Sequence, residues 1–254
     1  MSSNTVYLVT GANRGMGLGL LTILAARPNT IVFAGARNPD AQSLKDLAAE
    51  RSNVHPIKFI VNDKANNEAV VAEIEKIAGQ LDVIIANAGV AQFYGPVATT
   101  PLDEYKAHWE INTLGTIVLY QAAQELLLAS PTGIPVFAYV STGAASMARF
   151  LPMKNSAYAS SKAAANFIVK ALDAENPSLI ALAISPGWVA TDTGNPAAVA
   201  NGLPEAPMRV EDVVPGILSR IDGATKEKSS GRFWNFKPTF GGMPWDINTE
   251  EVPW

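Results

Sequence analysis

The chain has 254 residues, of which 48% are apolar and 17% are charged. This apolar content excludes a disordered chain, and the length suffices to bury a large core without disulfides or metals. The formal charge of −4 excludes the basic surface of a nucleic-acid-binding protein, and the absence of cysteine excludes a thiolate nucleophile and cysteine-ligated metal sites.

Neither a metal nor a membrane is indicated as a partner. The two histidines, His55 and His108, are not at the spacing of metal ligands, so we expect no metal site. The apolar run Val6–Thr10 is too short for a signal peptide or a membrane span. We therefore expect a cytoplasmic protein that binds neither membrane nor nucleic acid.

Short apolar runs alternate with longer segments of helical periodicity along the chain. The predicted strands are Val6–Thr10, Ile31–Ala34, Ile57–Val61, Asp82–Ala86, Val136–Val140 and Leu179–Ile184. The predicted helices cover residues 16–27, 40–51, 64–79, 103–129, 157–175 and 211–222. Nearly continuous apolar strands are typical of a sheet covered on both faces, and the alternation predicts right-handed βαβ crossovers. We predict an α/β fold over residues 1–254, a single-domain, doubly wound (Rossmann) parallel sheet of about seven strands with helices on both faces.

Two segments depart from this alternation. Residues 188–210 are rich in Ala, Pro, Asn and Gly, which indicates either a substrate lid or an ordinary long loop. Residues 231–254 are rich in aromatic residues and proline, and we expect an edge strand near Gly231–Phe236 followed by a tail along the surface. Since a doubly wound sheet binds ligands at the carboxyl ends of its strands, the motifs at those ends should carry the function.

A glycine-rich turn, TGANRGMGLG over residues 10–19, directly follows the first predicted strand. Gly11 and Gly15 let the chain turn sharply and let the backbone approach a phosphate. The N–H groups that open the next helix then face the anion. The spacing matches neither GxGxxG nor a P-loop, so a purely structural turn is the alternative. Because the turn lies at the first βα junction, we interpret it as a phosphate site.

The region after the second strand indicates which dinucleotide would bind. An acidic residue there would favour NAD, but the sequence reads AGAR over residues 34–37 and the first carboxylate is Asp40. Arg37, assisted by Arg14 of the glycine-rich turn, can instead pair with a ribose 2′-phosphate through charge-assisted hydrogen bonds. We therefore predict NADP(H) as the cofactor.

Tyr158 and Lys162 lie four residues apart after the fifth strand, so they project from the same face of a helix. An ammonium near a phenol lowers the tyrosine pKa from its usual value of about 10. Such a phenol can pass a proton to a carbonyl oxygen while hydride reaches the carbon. The pair alone is a weak pattern, and its weight comes from its position beyond a nucleotide-type turn.

Five motifs follow one another in order: the turn at residues 10–17, Asn87-Ala88-Gly89, Asn112-Thr113, Tyr158 with Lys162, and Pro186-Gly187. On these motifs the chain resembles the short-chain dehydrogenase/reductase family over essentially its whole length. The segments GANRG, PGWVATD and GRFWNF are similar to those of carbonyl reductases and of fungal members like the norsolorinic acid ketoreductases. The resemblance also implies a homodimer or homotetramer, formed through helices 103–129 and 157–175.

The resemblance implies a role for each matched residue. Tyr158 would be the general acid in reduction and the general base in oxidation, and Lys162 would bind the nicotinamide ribose and lower the tyrosine pKa. Asn112 would hold a water that links Lys162 to solvent, and Asp63 would contact the adenine. The implied cofactor-binding residues are Gly11, Asn13, Arg14, Gly15, Met16, Arg37, Asp63, Asn87, Gly89, Tyr158, Lys162, Pro186, Val189 and Thr191.

One position departs from the family pattern. The family has a serine at the end of the fifth strand, where it hydrogen-bonds the substrate carbonyl, and this position falls on Thr142. Threonine offers the same hydroxyl, although its methyl group restricts the side chain. Ser141 is the alternative, but strand alternation should turn its side chain the other way. We expect Thr142 to take this role.

Together these features predict an NADPH-dependent ketoreductase that reduces an apolar, aromatic or alicyclic, carbonyl compound to an alcohol. The candidates for an apolar substrate wall, each of which could instead be core, are Phe93, Tyr94, Met147, Phe150, Leu151, Met153 and Trp188. The first alternative is an NADP-dependent alcohol dehydrogenase working in the oxidative direction. A non-catalytic NADPH-sensing regulator and an assembly protein that uses the cofactor only for structure are weaker alternatives. Turnover of any carbonyl compound would separate the enzyme from these two.

Overall fold

The computed structural model describes residues 4–237 and 250–254. The strands are β1 (Thr5–Thr10), β2 (Thr30–Ala36), β3 (Val54–Lys58), β4 (Val83–Ala86), β5 (Val136–Val140), β6 (Ile180–Ser185) and β7 (Arg232–Asn235). The helices are α1 (Gly15–Ala25), α2 (Gln42–Glu50), α3 (Lys64–Ala78), α4 (Leu102–Trp109), α5 (Gly115–Leu128), α6 (Ser156–Glu175), α7 (Gly194–Ala200), α8 (Val210–Asp222) and α9 (Lys226–Ser229). A π turn covers Glu110–Leu114, and a 3₁₀ turn covers Gly143–Ala145.

The seven strands form one sheet in the order β3-β2-β1-β4-β5-β6-β7, and all neighbours are parallel. After β3 the chain returns to the other side of β1, so the strand order reverses between β1 and β4. The carboxyl ends of these two strands flank the crevice in which such sheets bind ligands. The predicted doubly wound parallel sheet is confirmed.

Helices cover both faces of the sheet, and alternate side chains of β1 point to opposite cores. Val9 belongs to the core cluster that contains Leu20 of α1 and Ile217 of α8. Leu8 belongs to the opposite cluster, which contains Leu119 of α5. These side chains are almost completely buried, and each contributes about 1.5–3 kcal/mol relative to an exposed one. Burial on both faces explains why the strand sequences are continuously apolar.

The predicted third strand, residues 57–61, is wrong in its bounds, since β3 begins at Val54 and ends at Lys58. Pro56 lies within β3, which is an edge strand, where a missing N–H is tolerated. The strand ends before residue 61 because the side chain of Asn66 hydrogen-bonds the backbone that follows it. The N–H of Ile60 donates to Oδ1 of Asn66 at 2.6 Å.

The predicted helix 103–129 is also wrong as a single helix. The π turn separates α4 from α5 and carries Asn112 and Thr113, both of which are buried. Turns of this kind inside helices are frequent at functional sites. Apolar periodicity does not reveal one extra residue in a helix, so the interruption could not be read from the sequence.

Residues 188–210 contain α7 and are tied together at their base. The N–H of Ala190 donates to the carbonyl of Met208 at 2.7 Å, and the N–H of Met208 donates to that of Trp188 at 3.1 Å. Beyond β7, the N–H of Val252 donates to the carbonyl of Phe233 at 2.7 Å. Much of the expected tail, including Phe240 and Trp245, lies outside the described residues. Across residues 4–237 and 250–254, no helix has both the length and the apolarity to cross a membrane.

Candidate active site

A cavity of about 1210 Å³ lies at the carboxyl ends of the central strands. The predicted site residues in its wall are Gly11, Asn13, Arg14, Gly15, Met16, Arg37, Asn87, Gly89, Thr142, Tyr158, Lys162, Pro186, Val189 and Thr191. These residues come from six separate stretches of sequence, which the parallel sheet brings to one edge. Asn112 and Asp63 are the predicted residues that do not line the cavity.

The start of α1 has the features of a site for an anion. Gly11 has a φ of +66°, which favours glycine, and it sets the direction of the turn. A Cβ on Gly17 would lie only 2.1 Å from the carbonyl oxygen of Gly11, so the turn closes against the helix. The first turn of α1 contains no acidic residue, and its N-cap, Arg14, makes no side-chain capping hydrogen bond. The N–H groups there suit the diphosphate of a dinucleotide.

The two predicted phosphate-binding arginines differ in their surroundings. Arg37 follows β2 directly and is exposed at the cavity wall. Arg14 forms an ion pair with Asp192, with its Nη1 at 2.5 Å from Oδ2 of the carboxylate. A phosphate would therefore meet Arg37 directly but would compete with Asp192 for Arg14.

Asp63 does not reach the cavity, although the resemblance implied an adenine contact. It is the N-cap of α3, and its Oδ1 accepts a hydrogen bond from the N–H of Asn66 at 3.0 Å. Ile60 and Val61 line the cavity at this point of the chain. The capping role explains the residue type at position 63, because aspartate is among the best N-cap residues. The cavity wall is accordingly apolar at this point.

Tyr158 and Lys162 face the cavity from the first turns of α6, as their spacing predicted. Lys162 is 4% exposed, and its Nζ donates to the backbone carbonyl of Val140 at 2.8 Å. Burial lowers the pKa of Lys162 to about 7. Burial raises the pKa of Tyr158 to about 12, and a hydrogen bond from Thr142 opposes that rise. In the protein alone, the tyrosine pKa thus moves in the opposite direction from the expected one, because burial outweighs the hydrogen bond from Thr142.

Thr142, rather than Ser141, is the hydroxyl that meets Tyr158. The Oγ of Ser141 donates instead to Oδ1 of Asn166 on α6 at 2.6 Å, and both residues are 2% exposed. Thr142 lines the cavity, hydrogen-bonds Tyr158 and accepts from the N–H of Ala144 at 3.3 Å. The two neighbouring hydroxyls are therefore turned to different environments, as strand alternation predicts.

Asn112 lies behind the cavity wall, where its side chain joins the segment after β4 to α6. Its Oδ1 accepts from the N–H of Val90 at 2.9 Å, and its Nδ2 donates to the carbonyl of the same residue at 2.9 Å. The Nδ2 also donates to Oγ of Ser161 at 3.0 Å. A Cβ on Gly89 would lie 3.0 Å from this Oδ1, so the absence of a side chain at position 89 permits the close approach.

The substrate-wall candidates divide into two groups. Tyr94, Leu151, Met153 and Trp188 line the cavity. Phe93, Met147 and Phe150 do not, and the last two are each 76% exposed. The hydroxyl of Tyr94 donates to the carbonyl of Ala91 at 2.8 Å and lies 3.3 Å from that of Thr193. This side chain therefore connects the segment after β4 with the segment after β6.

The sequence reasoning missed two functional candidates. Asp192 follows the PGWVAT stretch and pairs with Arg14 across 178 positions of sequence. Tyr139 lies in the middle of β5, and the Nζ of Lys162 is 4.5 Å from the centroid of its ring. A tyrosine within a buried apolar strand looks like an ordinary core residue in the sequence. Its contact with Lys162 is seen only in the folded structure.

Comparison with known proteins places these features in context. The family model for short chain dehydrogenase matches residues 5–201. The norsolorinic acid ketoreductase of Emericella nidulans is 40% identical over 250 residues, which cover 95% of this chain and 94% of that protein. That of Dothistroma septosporum is 38% identical over 240 residues, covering 91% of this chain and 90% of the relative.

Solved structures agree with the sequence relatives. The NADPH-bound carbonyl reductase from chicken fatty liver superposes with a TM-score of 0.82 at 28% identity, covering 93% of this chain and 97% of that one. The carbonyl reductase Sniffer of D. melanogaster gives a TM-score of 0.85 at 25% identity, covering 100% of both chains.

Proposed function

The chain belongs to the short-chain dehydrogenase/reductase family, and we propose that it is an NADPH-dependent ketoreductase that reduces an apolar carbonyl compound, aromatic or alicyclic, to an alcohol. The observation that carries this proposal is the group of Tyr158, Thr142 and Lys162 on one cavity wall. It pairs a protonated phenol, which can act as a general acid, with a second hydroxyl and a buried amine, and this combination suits carbonyl reduction. The ketoreductase relatives and the NADPH-bound carbonyl reductase support the same reaction.

The residues of the cavity fit the parts of NADPH, which supplies a hydride to the carbonyl carbon when bound. The glycine-rich turn and Asn13, Gly15 and Met16 would hold the diphosphate, and Arg37 the 2′-phosphate. Lys162 would bind the nicotinamide ribose. The residues expected along the rest of the cofactor are Gly11, Arg14, Asn87, Gly89, Pro186, Val189 and Thr191.

In the proposed mechanism the protein's own groups handle the proton. The Thr142 hydroxyl donates a hydrogen bond to the substrate oxygen and polarises the carbonyl. Tyr158 then transfers its phenolic proton to this oxygen as the carbon is reduced. The resulting phenolate is stabilised by the charged form of Lys162 in a low-dielectric site.

The protonation state of Tyr158 suits its role as the acid in reduction. Burial raises the pKa of Tyr158 to about 12, so the phenol is protonated at neutral pH and ready to act as an acid. Oxidation of an alcohol would need the phenolate as a base. An apolar substrate is supported by the side chains of Leu151, Met153 and Trp188 in the cavity wall.

We propose in addition that the chain forms a homodimer or homotetramer through the α4–α5 and α6 helices. Phe167 of α6 is 71% exposed and Trp109 of α4 is 45% exposed, and a second copy would cover such side chains. Sedimentation at micromolar concentration tests this, and a monomer would contradict it. The cytoplasmic location remains a prediction, which cell fractionation would test.

The proposed reaction is tested by following NADPH and NADH oxidation against a panel of apolar ketones and quinones. We expect preferential use of NADPH, and Tyr158→Phe should lower kcat by about 10²–10⁴-fold. Tyr7→Phe, which removes a hydroxyl from β1 outside the cavity, is the control and should retain activity. Near wild-type turnover by Tyr158→Phe would overturn the mechanism. Tight NADPH binding without turnover across the panel would favour the sensor.

A further inference from the structure

We propose that Tyr139 is a positioning residue. Its ring holds the ammonium of Lys162 in place, and its hydroxyl donates a hydrogen bond to the backbone carbonyl of Asn112. The inference rests on the proposed function, because it concerns how the catalytic lysine is supported. Tyr139 belongs to β5, is 1% exposed and does not line the cavity. It can therefore act on the reaction only through its neighbours.

The ring of Tyr139 is one of two supports of the buried ammonium. The Nζ of Lys162 lies 4.5 Å from the ring centroid and 2.8 Å from the carbonyl oxygen of Val140. An ammonium at this distance from a ring face is attracted by the ring quadrupole, and more strongly where water is excluded. Ring and carbonyl both belong to β5, so this strand fixes where Nζ lies.

The hydroxyl of Tyr139 reaches the π turn. It donates to the backbone carbonyl of Asn112 at 3.2 Å, and Oγ1 of Thr116 donates to the same oxygen at 2.9 Å. A carbonyl oxygen has two lone pairs, and two hydroxyls use them here. The side-chain amide of Asn112 is also engaged, by Val90 and Ser161. Protein groups therefore hydrogen-bond both the side-chain amide and the backbone carbonyl of Asn112, the residue to which the family resemblance assigned a relay water.

The surroundings of Lys162 explain why such support matters. Burial lowers the pKa of Lys162 to about 7, which puts the amine near half protonation at neutral pH. The groups close to Nζ are the ring of Tyr139, the carbonyl of Val140 and the backbone of Gly89, where a Cβ would lie 3.3 Å from Nζ. The phenol of Tyr158 lines the same cavity as Lys162. Burial also raises the pKa of Tyr139, so this phenol stays a neutral donor. The ring face then favours the charged form of the lysine without adding a charge.

The ring is tested by NMR titration of the Lys162 side chain in the full chain without cofactor, with Lys162→Met identifying the resonance. Tyr139→Leu should lower the pKa of Lys162 by about one unit, since a desolvated cation–π contact favours the ammonium. Tyr139→Phe keeps the ring and should leave this pKa within a few tenths of a unit. The matched controls are Tyr120→Leu and Tyr120→Phe, which alter a buried tyrosine of the same core cluster. An unchanged or raised pKa in Tyr139→Leu would overturn the role of the ring.

The hydroxyl is tested by hydrogen exchange of the amides in residues 110–117. Loss of one buried hydrogen bond in Tyr139→Phe should speed their exchange by about 2–10-fold, and Tyr120→Phe should not. Equal exchange in both variants would overturn the role of the hydroxyl.

A third measurement links the residue to turnover. In Tyr139→Leu the high-pH limb of the kcat/KM profile for NADPH should move to lower pH, in the same direction as the titration, because this profile reports pKa values of the enzyme without cofactor. An unshifted limb would contradict the positioning role. If Tyr158→Phe retains full activity, the proposed function fails, whereas the titration and the exchange experiment still decide on Tyr139.

Discussion

Arg14 and Asp192 form an ion pair, 2.5 Å long, that joins the glycine-rich turn to the segment after β6. The two residues come from different segments of the chain, and both line the proposed cofactor cavity. Their side chains are 61% and 72% exposed, so the pair is screened by solvent and contributes little to folding. Its consequence is for binding, because the carboxylate holds an arginine that is expected to contact the cofactor phosphate.

Removing this carboxylate should strengthen binding of NADPH. In Asp192→Asn, no ion pair has to break before Arg14 can bind the cofactor phosphate, and one negative charge near this phosphate is removed. We expect the Kd for NADPH to fall by about 1.5–5-fold at low salt, and by less at high salt, as for exposed ion pairs. Fluorescence titration measures this, and Asp103→Asn, an exposed carboxylate paired with Lys106, is the charge-matched control. Equal affinity in the two variants would contradict the competition.

The two neighbouring hydroxyls after β5 should respond differently to substitution. Thr142→Val removes the hydroxyl that meets Tyr158, and kcat should fall by about 10²–10³-fold, as for the loss of one donor to a developing oxyanion. Thr142→Ser should restore most of the activity. Ser141→Ala leaves Oδ1 of Asn166 without its donor and should lower the free energy of unfolding by about 1–3 kcal/mol. A larger loss of kcat in Ser141→Ala than in Thr142→Val would show that the roles are reversed.

The sequence predicted most of the fold because the relevant signals are local. Continuous apolar strands and periodic helices depend on neighbouring residues, and they specify a covered parallel sheet. The predicted bounds of β3 were wrong because a proline within a strand is tolerated only at the edge of a sheet. Which strand lies at the edge is known only once the strand order is known. The π turn around Asn112 was not predicted because helical periodicity does not reveal one inserted residue.

The site was predictable where the sequence spacing of two residues determines their relative positions, as for Tyr158 and Lys162 on one face of a helix. It was less predictable where distant segments meet. The pairing of Arg14 with Asp192 and the ring of Tyr139 beneath Lys162 depend on strand order and burial. The raised pKa of Tyr158 has the same origin, since burial is a property of the folded chain.

The close approach at the glycine-rich turn makes Gly17 a sensitive position. In Gly17→Ala the new Cβ would lie 2.1 Å from the carbonyl oxygen of Gly11, so the turn must move away from α1. We expect the Kd for NADPH to rise at least about tenfold, since the N–H groups at the helix start lose their alignment. Isothermal titration calorimetry measures this. Gly223→Ala, at the end of α8 outside the cavity, is the control, and a similar loss of affinity there would contradict a local effect.

Lys162 should make folding stability depend on pH in a defined direction. Its pKa falls from 10.5 in the unfolded chain to about 7 in the folded protein because of burial. Between these values the unfolded chain binds a proton that the folded protein does not, so stability rises with pH from about 7 toward 10. Below pH 7 the full cost of burying the ammonium applies, at most about 5 kcal/mol. Tyr158, with a pKa of 10.0 in the unfolded chain and about 12 in the folded protein, changes stability mainly above this window.

The variant Lys162→Met tests this cost, because it removes the charge and fills the same space with an apolar side chain. It should be more stable than the wild type by a few kcal/mol at pH 6, and the difference should shrink steadily up to pH 9.5. Urea unfolding at pH 6, 8 and 9.5 measures it, and Lys106→Met, with a lysine side chain that is 71% exposed, should show no such trend. A Lys162→Met protein that is no more stable than the wild type at pH 6 would contradict the prediction. The expected gain in stability, together with the loss of turnover, follows from keeping an amine buried where the reaction needs it.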